Sequence, residues 1–225
     1  MENSGAMDRI RVLASSLPFA ALCLAVGFID EFCLGRLNPT AQPFPPPFSE
    51  WDLKIFMFIN HGLALNWLDR PLWILTHLGS TLFWLLFSAL LWFSRRRGEA
   101  VLLASTVVAG GLLFLPLKVF LPRARPFNLV PTRVLEVEGG SSFPSGHAKN
   151  MFSAAAVLGT TRRRRLILYP LAFTVSLSRI YLGVHWPLDV FAGALIGWII
   201  GVIAVRYKVE ILGVFRDLAK RMGWW

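Results

Sequence analysis

Three short segments of this 225-residue sequence carry the residue types that could do chemistry on a phosphate group. Histidine and aspartate side chains could move a proton or attack phosphorus, while lysine and arginine could neutralise phosphoryl oxygens. The segments are Lys118–Pro126 (KVFLPRARP), Pro144–His147 (PSGH) and Ser178–Asp189 (SRIYLGVHWPLD). Cations clustered with histidine suit an anion whose transition state spreads charge over three oxygens. The sequence therefore predicts one anion site that draws on all three segments.

The third segment pairs an imidazole with a carboxylate. His185 and Asp189 are four residues apart, so they share one face if helical geometry extends back to the histidine. A carboxylate beside an imidazole fixes the tautomer, leaves the other nitrogen free to attack, and stabilises the imidazolium. Arg179 would add a fork of donors for phosphoryl oxygens. These residue types favour phosphoryl transfer through a covalent phosphohistidine.

The second segment predicts the start of a helix after a flexible glycine-serine stretch. The free N–H groups of a helix N-terminus bind anions. Ser145 would add a hydroxyl donor, Gly146 would let a ligand approach the backbone, and His147 could donate a proton to a leaving group. The alternative interpretation of this segment is an ordinary serine N-cap.

The first segment places cations at the end of a predicted membrane span. Lys118 falls in the last turn of that span and Arg125 follows seven residues later. The prolines at 122 and 126 would stop the helix and direct the cations back toward the helix bundle. The alternative is ordinary flanking charge, because lysine near a helix end extends its amine to the membrane surface.

A metal site is the competing interpretation within enzymology. His147, His185 and Asp189 could coordinate zinc, but the sequence has no HExxH-like pair and the neighbouring cations would repel a metal ion. We therefore expect neither a metal nor any other cofactor.

The composition indicates an integral membrane protein. Apolar residues make up 55% of the chain and charged residues 16%, with a mean hydropathy of +0.56. Several runs approach or exceed the ~20 apolar residues that cross a bilayer. They are Val12–Ile29, Pro71–Phe93, Val101–Leu121, Leu166–Leu182 and Leu188–Val205. We predict a single all-α, polytopic membrane domain over residues 1–225, with the first run retained as a span.

The positive charges predict the topology. If six helices cross the membrane and both termini are cytoplasmic, the arginine clusters at 95–97 and 162–165 lie on the cytoplasmic side. The basic C-terminal residues lie on the same side. All three chemical segments then face outward. The fourth span, Ala148–Thr161, is short, so His147 would lie in a recess below the outer surface. The net charge of +10 falls in these short clusters and forms no stripe, which argues against nucleic-acid binding.

Four other features complete the predicted layout. Residues 30–62 form an outer segment, in which the proline-rich Pro39–Ser49 is a loop and Glu50–Gly62 an interfacial helix. Glycines at 193, 197 and 201 follow Asp189 at the same four-residue spacing and predict close packing against a neighbouring helix. Cys23 and Cys33 predict no disulfide, and Trp224 and Trp225 are expected to anchor at the membrane surface.

The three segments resemble the motif set of the type 2 phosphatidic acid phosphatase (PAP2) family, membrane lipid phosphatases related to vanadium haloperoxidases. The family pattern is K-x6-RP, then PSGH, then SR-x5-H-x3-D, and this sequence fits it without a departure. The motif region is 118–189. The resemblance implies a helical core with the phosphate site at its outer end. Catalytic roles fall on His185 as nucleophile, Asp189 as its partner and His147 as general acid. Phosphate-binding roles fall on Lys118, Arg125, Ser145, Gly146 and Arg179.

The activity implied is removal of a terminal phosphate from a membrane lipid. Polyprenyl diphosphate, phosphatidate and phosphatidylglycerol phosphate are substrates within the family, and the shared motifs do not distinguish them. Two alternatives remain open from the sequence: a lipid phosphotransferase that uses the same site, and a non-catalytic phospholipid-binding membrane protein or flippase. The partners expected are the bilayer and a lipid phosphate, and the sequence leaves the oligomeric state undetermined.

Overall fold

The fold of the described residues is helical throughout. The computed structural model describes Ala21, Pro39 and residues 42–221, and within them no residue lies in a β-strand. The predicted all-α class is confirmed. In chain order the α-helices are α1 (Pro46–Met57), α2 (Asn66–Thr76), α3 (Thr81–Phe93), α4 (Arg97–Phe120), α5 (Gly146–Leu158), α6 (Arg162–Tyr181), α7 (Pro187–Arg206) and α8 (Lys208–Arg221).

Two of these helices are long and apolar enough to cross a membrane by themselves, namely α4 and α7. They correspond to the predicted spans at Val101–Leu121 and Leu188–Val205. Both also present exposed apolar side chains on one side, such as Leu112 and Phe191, as expected of a surface that faces lipid. The integral membrane class therefore has direct support in this part of the chain.

The predicted span Pro71–Phe93 is not one continuous helix, and this corrects the sequence-based expectation. It divides into α2 and α3, which are bent by 59° at a short 3₁₀ turn, His77–Gly79. The break has a local cause because Ser80 ends one helix and caps the next, accepting a hydrogen bond from Phe83 N–H at 3.1 Å. Asn150 stabilises the open turn by donating to the Gly79 carbonyl at 3.0 Å.

The short helix α5 lies at the centre of the bundle. It has 13 residues, which is about 20 Å of helix. Most of its side chains are buried, including polar ones such as Asn150 and Ser153. The predicted fourth span is therefore a short, largely enclosed helix whose first turn carries His147.

The glycine stripe of α7 packs directly against α5, as the spacing predicts. A Cβ atom on Gly193 would lie 2.3 Å from the carbonyl oxygen of Ser145, and one on Gly197 would lie 2.2 Å from that of Lys149. Gly201 meets the next turn in the same way, at 2.8 Å from the Ser153 carbonyl. Only glycine permits this approach, which brings the first turn of α7 beside the first turn of α5.

Gly197→Val is expected to destabilise the bundle by about 2–3 kcal/mol, because the added atoms must push α5 and α7 apart. The matched control is Gly111→Ala in α4, where a Cβ atom has nothing within 4 Å. Unfolding midpoints measured in detergent would test this. Equal midpoints for the two variants would contradict the packing.

The outer segment is more helical than predicted. Helix α1 begins at Pro46, inside the proline-rich stretch predicted as a loop through Ser49, and runs into a π-helical turn at Phe58–Gly62. Proline is tolerated there because N–H groups in the first turn of a helix have no acceptor within the helix, so the absence of one breaks no hydrogen bond. Trp51 and Phe58 are exposed on this helix, whereas Phe56 is buried.

Several predictions fall outside the described residues. These are the first span at Val12–Ile29, apart from Ala21, the two cysteines at 23 and 33, and the tryptophans at 224 and 225.

Candidate active site

The structure brings His185 and Asp189 together, although not by the geometry that their spacing suggested. His185 lies before α7, whose N-cap residue is Trp186. The Asp189 side chain reaches back from the first turn, where its Oδ2 accepts a hydrogen bond from Trp186 N–H at 2.9 Å. The same oxygen lies 3.5 Å from Nδ1 of His185. Both side chains are buried.

The other nitrogen of His185 faces a cluster of arginines. Its Nε2 atom lies 3.5 Å from Arg125 Nη1. Burial lowers the pKa of His185 to about 4, against the opposing influence of Asp189. The imidazole is therefore neutral at physiological pH, and with a proton on Nδ1 toward Asp189 the lone pair of Nε2 is directed at the cluster.

The cluster consists of Arg125 and Arg179, which reach the site from different elements. Arg125 follows α4 and donates to backbone carbonyls at Gly139 and Val184, at 2.7 and 2.9 Å. Arg179 is fully buried in the last turn of α6 and donates to Thr76 Oγ1 at 2.8 Å. These bonds hold both guanidinium planes in place. We name the pair of guanidinium groups the anion cradle.

Glu138 occupies the anion cradle, and the sequence analysis did not single it out. One carboxylate oxygen lies 3.1 Å from Arg125 Nη1 and the other accepts from Arg179. The carboxylate is also 3.8 Å from Nε2 of His185. Burial opposes ionisation, but Arg179 and Arg125 hold the pKa of Glu138 well below its usual value. A carboxylate anion thus lies where the motifs predict a phosphate.

The remaining predicted phosphate-binding residues lie at the start of α5 and at the end of α4. Ser145 is the N-cap residue of α5, yet its hydroxyl makes no capping bond. That oxygen is buried and has no hydrogen-bond partner among the described residues, so an ordinary N-cap does not explain the serine. Space is open in front of Gly146. Lys118, in the last turn of α4, donates to the Ser141 carbonyl at 2.8 Å.

His147 rests against the break between α2 and α3. A Cβ atom on Gly79 would lie 2.7 Å from Cδ2 of the His147 ring, so the glycine leaves the room that the ring fills. Arg179 and Glu138 are among the charged groups that act on the His147 ring. The bend that interrupts the predicted span therefore positions one of the two site histidines.

Glu138→Gln is expected to tighten inhibition by inorganic phosphate and by vanadate about 10-fold, because the variant removes a competing anion from both arginines. The matched control is Glu99→Gln, which loses an ion pair with Arg96 at the opposite end of the bundle. Inhibition constants would be measured at one ionic strength. Unchanged constants for Glu138→Gln would show that the carboxylate does not compete with anions.

No group of three His, Cys, Asp or Glu side chains among the described residues is arranged to hold a metal ion. A neutral imidazole beside a carboxylate, two fixed arginines and a helix N-terminus thus lie at one end of the helical bundle.

Comparison with known proteins shows the family to which the chain belongs. Residues 99–211 match the model of the PAP2 superfamily. An undecaprenyl-diphosphatase of Sulfolobus acidocaldarius is 34% identical over 177 residues, which cover 76% of this chain and 84% of that protein. The chain belongs to the PAP2 superfamily, as the motifs predicted.

Two solved structures have the same fold. The crystal structure of LpxE from Aquifex aeolicus is 34% identical and matches with a TM-score of 0.64, covering 69% of this chain and 94% of that one. The crystal structure of a transmembrane PAP2 type phosphatidylglycerolphosphate phosphatase from Bacillus subtilis also gives a TM-score of 0.64, at 22% identity. It covers 89% of this chain and 97% of that one.

Proposed function

We propose that this chain is a metal-independent phosphatase that removes a terminal phosphate from a membrane lipid through a phosphohistidine. The observation that carries the proposal is the position of His185, with Nδ1 toward Asp189 and Nε2 toward the anion cradle. A phosphoryl group that replaced the Glu138 carboxylate would bind both arginines and lie beside the attacking nitrogen.

The chemistry follows in two displacements at phosphorus. Nε2 of His185 attacks, so that a phosphorus–nitrogen bond forms while the bond to the lipid oxygen breaks. His147 donates a proton to that oxygen and the lipid leaves. Water then attacks the phosphohistidine as His147 accepts its proton, and inorganic phosphate is released. Arg125 and Arg179 neutralise the phosphoryl oxygens throughout, and Asp189 stabilises the charged imidazole.

Three further residues complete the proposed phosphate site. The unpartnered Ser145 hydroxyl would donate to a phosphoryl oxygen, and the open space at Gly146 would admit the phosphate close to the helix N-terminus. Lys118 would contribute its positive charge from the end of α4.

The charge distribution supports an outward-facing site in a six-span protein. Helices α4 and α6 begin next to the arginine clusters at 95–97 and 162–165, and both end at the anion site. Helix α7 runs back from the site to Arg206. The clusters lie at the opposite end of the bundle from His185, and by the positive-inside rule that end would be cytoplasmic. The termini would be cytoplasmic, as in the predicted topology.

The substrate proposed is a lipid phosphate whose tail stays in the bilayer. The names of the relatives point to an undecaprenyl diphosphate in one case and to phosphatidylglycerol phosphate in another. The short helix α5 supports a membrane lipid as substrate. It would hold His147 below the membrane surface, so that the phosphate could reach the site while the tail stayed in the bilayer.

The test is phosphate release by the purified full-length chain from polyprenyl diphosphate, phosphatidate and phosphatidylglycerol phosphate, with EDTA present and no acceptor added. We expect release from at least one lipid. Release that required an added acceptor would identify a phosphotransferase, and binding without turnover would identify a lipid-binding protein.

A further inference from the structure

Arg123, the first arginine of the LPRARP segment, lies at the centre of a buried polar network. It is fully buried, and each guanidinium nitrogen has its own partner. Nε donates to Gln42 Oε1 at 2.8 Å, Nη1 to Asp189 Oδ1 at 2.7 Å, and Nη2 to Asp52 Oδ2. Arg125, and not Arg123, is the arginine of this segment that contacts the Glu138 carboxylate.

Two aromatic rings lie against this guanidinium. Its Cζ atom lies 4.9 Å from the ring centroid of Phe44 and 5.1 Å from that of Trp186. The Trp186 indole N–H in turn donates to the carbonyl of Ala124 at 2.9 Å. Contact with two aromatic rings restricts the orientation of the charged group, which is fully buried from water.

Asp52 connects the network to the outer helix. Its carboxylate is buried on α1, where it binds Arg123 through one oxygen and accepts a hydrogen bond from Leu188 N–H through the other, at 2.7 Å. That N–H belongs to the first turn of α7, the turn that carries Asp189. Helix α1 is thereby joined to the N-terminus of α7 by the same carboxylate that holds the arginine.

The result is a continuous chain of contacts, Asp52–Arg123–Asp189–His185, with both oxygens of Asp189 in use. Oδ1 binds Arg123, and Oδ2 faces Trp186 N–H and His185 Nδ1. Three buried charges cost desolvation free energy that their attraction barely offsets, so such a network is a poor way to stabilise a fold. Its geometry has a clearer use in orienting the carboxylate.

We infer that Arg123 is a positioning residue for phosphoryl transfer, which holds Asp189 so that Oδ2 stays directed at His185, while Asp52 holds Arg123 in place. This inference rests on the proposed function, because it assigns Arg123 a role through the nucleophile. The outer helix α1 then also affects the reaction, because its residue Asp52 holds Arg123 in position.

The test compares Arg123→Met and Arg123→Lys with the wild-type chain on whichever lipid phosphate the wild type hydrolyses. We expect kcat of Arg123→Met to fall about 100-fold with KM within about 3-fold of wild type, because positioning is lost and the anion cradle is intact. Lysine keeps one charged donor for Asp189 and should recover about 10-fold of that loss.

Combination with Asp189→Asn separates positioning from general destabilisation. If Arg123 acts through Asp189, the double variant should be no slower than Asp189→Asn by itself. Should Arg123→Met fail to fold, Asp52→Asn replaces it in the same comparison, with an expected fall in kcat of about 5-fold at unchanged KM.

The matched control is Arg133→Met. Arg133 also pairs with an aspartate, Asp69, and stacks on an aromatic ring, Tyr181, but contacts neither histidine nor the anion cradle. Its loss should lower stability and leave kcat unchanged.

The inference is overturned if the Arg123 variants keep wild-type kcat, if they raise KM alone, or if their effect adds to that of Asp189→Asn. The proposed function fails separately, when the wild-type chain itself releases no phosphate from any lipid.

Discussion

His185→Ala abolishes phosphate release, by at least about 10⁴-fold, if the imidazole is the nucleophile. No other described side chain has a nucleophilic nitrogen between Asp189 and the anion cradle. The variant should still bind vanadate, because Arg125 and Arg179 do not depend on His185 for their position. The measurement is single-turnover phosphate release in EDTA.

The matched control for this prediction is His61→Ala. His61 lies in the π-helical turn, where its ring contacts the Pro131 carbonyl at 3.1 Å, and it is exposed. This variant should release phosphate at the wild-type rate. Residual turnover by His185→Ala within about 10-fold of wild type would remove His185 from the mechanism.

His147→Asn produces the second largest effect, and its size depends on the leaving group. A general acid contributes most when the leaving oxygen is strongly basic, as in a lipid alcohol, so turnover of phosphatidate should fall about 10³-fold. An aryl phosphate such as p-nitrophenyl phosphate needs no protonation to leave. With that substrate the phosphohistidine should form readily and then hydrolyse slowly.

Stopped-flow detection of nitrophenolate gives the readout. We expect a burst close to one equivalent per enzyme molecule, followed by slow turnover, in His147→Asn and no resolved burst in the wild type. Equal losses on the lipid and on the aryl substrate, without a burst, would contradict the assignment of His147 as proton donor.

The sequence predicted the core of the site because its motifs hold together locally. PSGH does begin a helix, and Asp189 does lie in the first turn of α7 after Pro187. The glycine stripe also indicated the close packing of α5 and α7. Each of these features depends on residues within a few positions of one another, which is the range over which spacing is informative.

Residues that act through long-range contacts could not be predicted in this way. Glu138 lies in an irregular segment without periodicity, and its meeting with Arg125 and Arg179 depends on the whole bundle. The break at Gly79 is set by a cap at Ser80 and by the His147 ring, which lies far along the chain.

The separate role of Arg123 could not be predicted from its spacing. It stands two residues before Arg125, and in an extended segment that spacing places both side chains on the same side. Arg125 belongs to the anion cradle, whereas Arg123 binds Asp189, so the two arginines have different roles. The sequence did not indicate Asp52 as the partner of Arg123, because their contact joins residues 71 positions apart.

Trapping of the covalent intermediate tests the central claim most directly. The His147→Asn chain would be incubated with ³²P-labelled aryl phosphate in EDTA, quenched in alkali, digested and analysed by mass spectrometry. We predict an alkali-stable, acid-labile label on His185, absent from the His147→Asn, His185→Ala double variant. Label on any other residue, or turnover with no labelled protein at all, would contradict a phosphohistidine mechanism at His185.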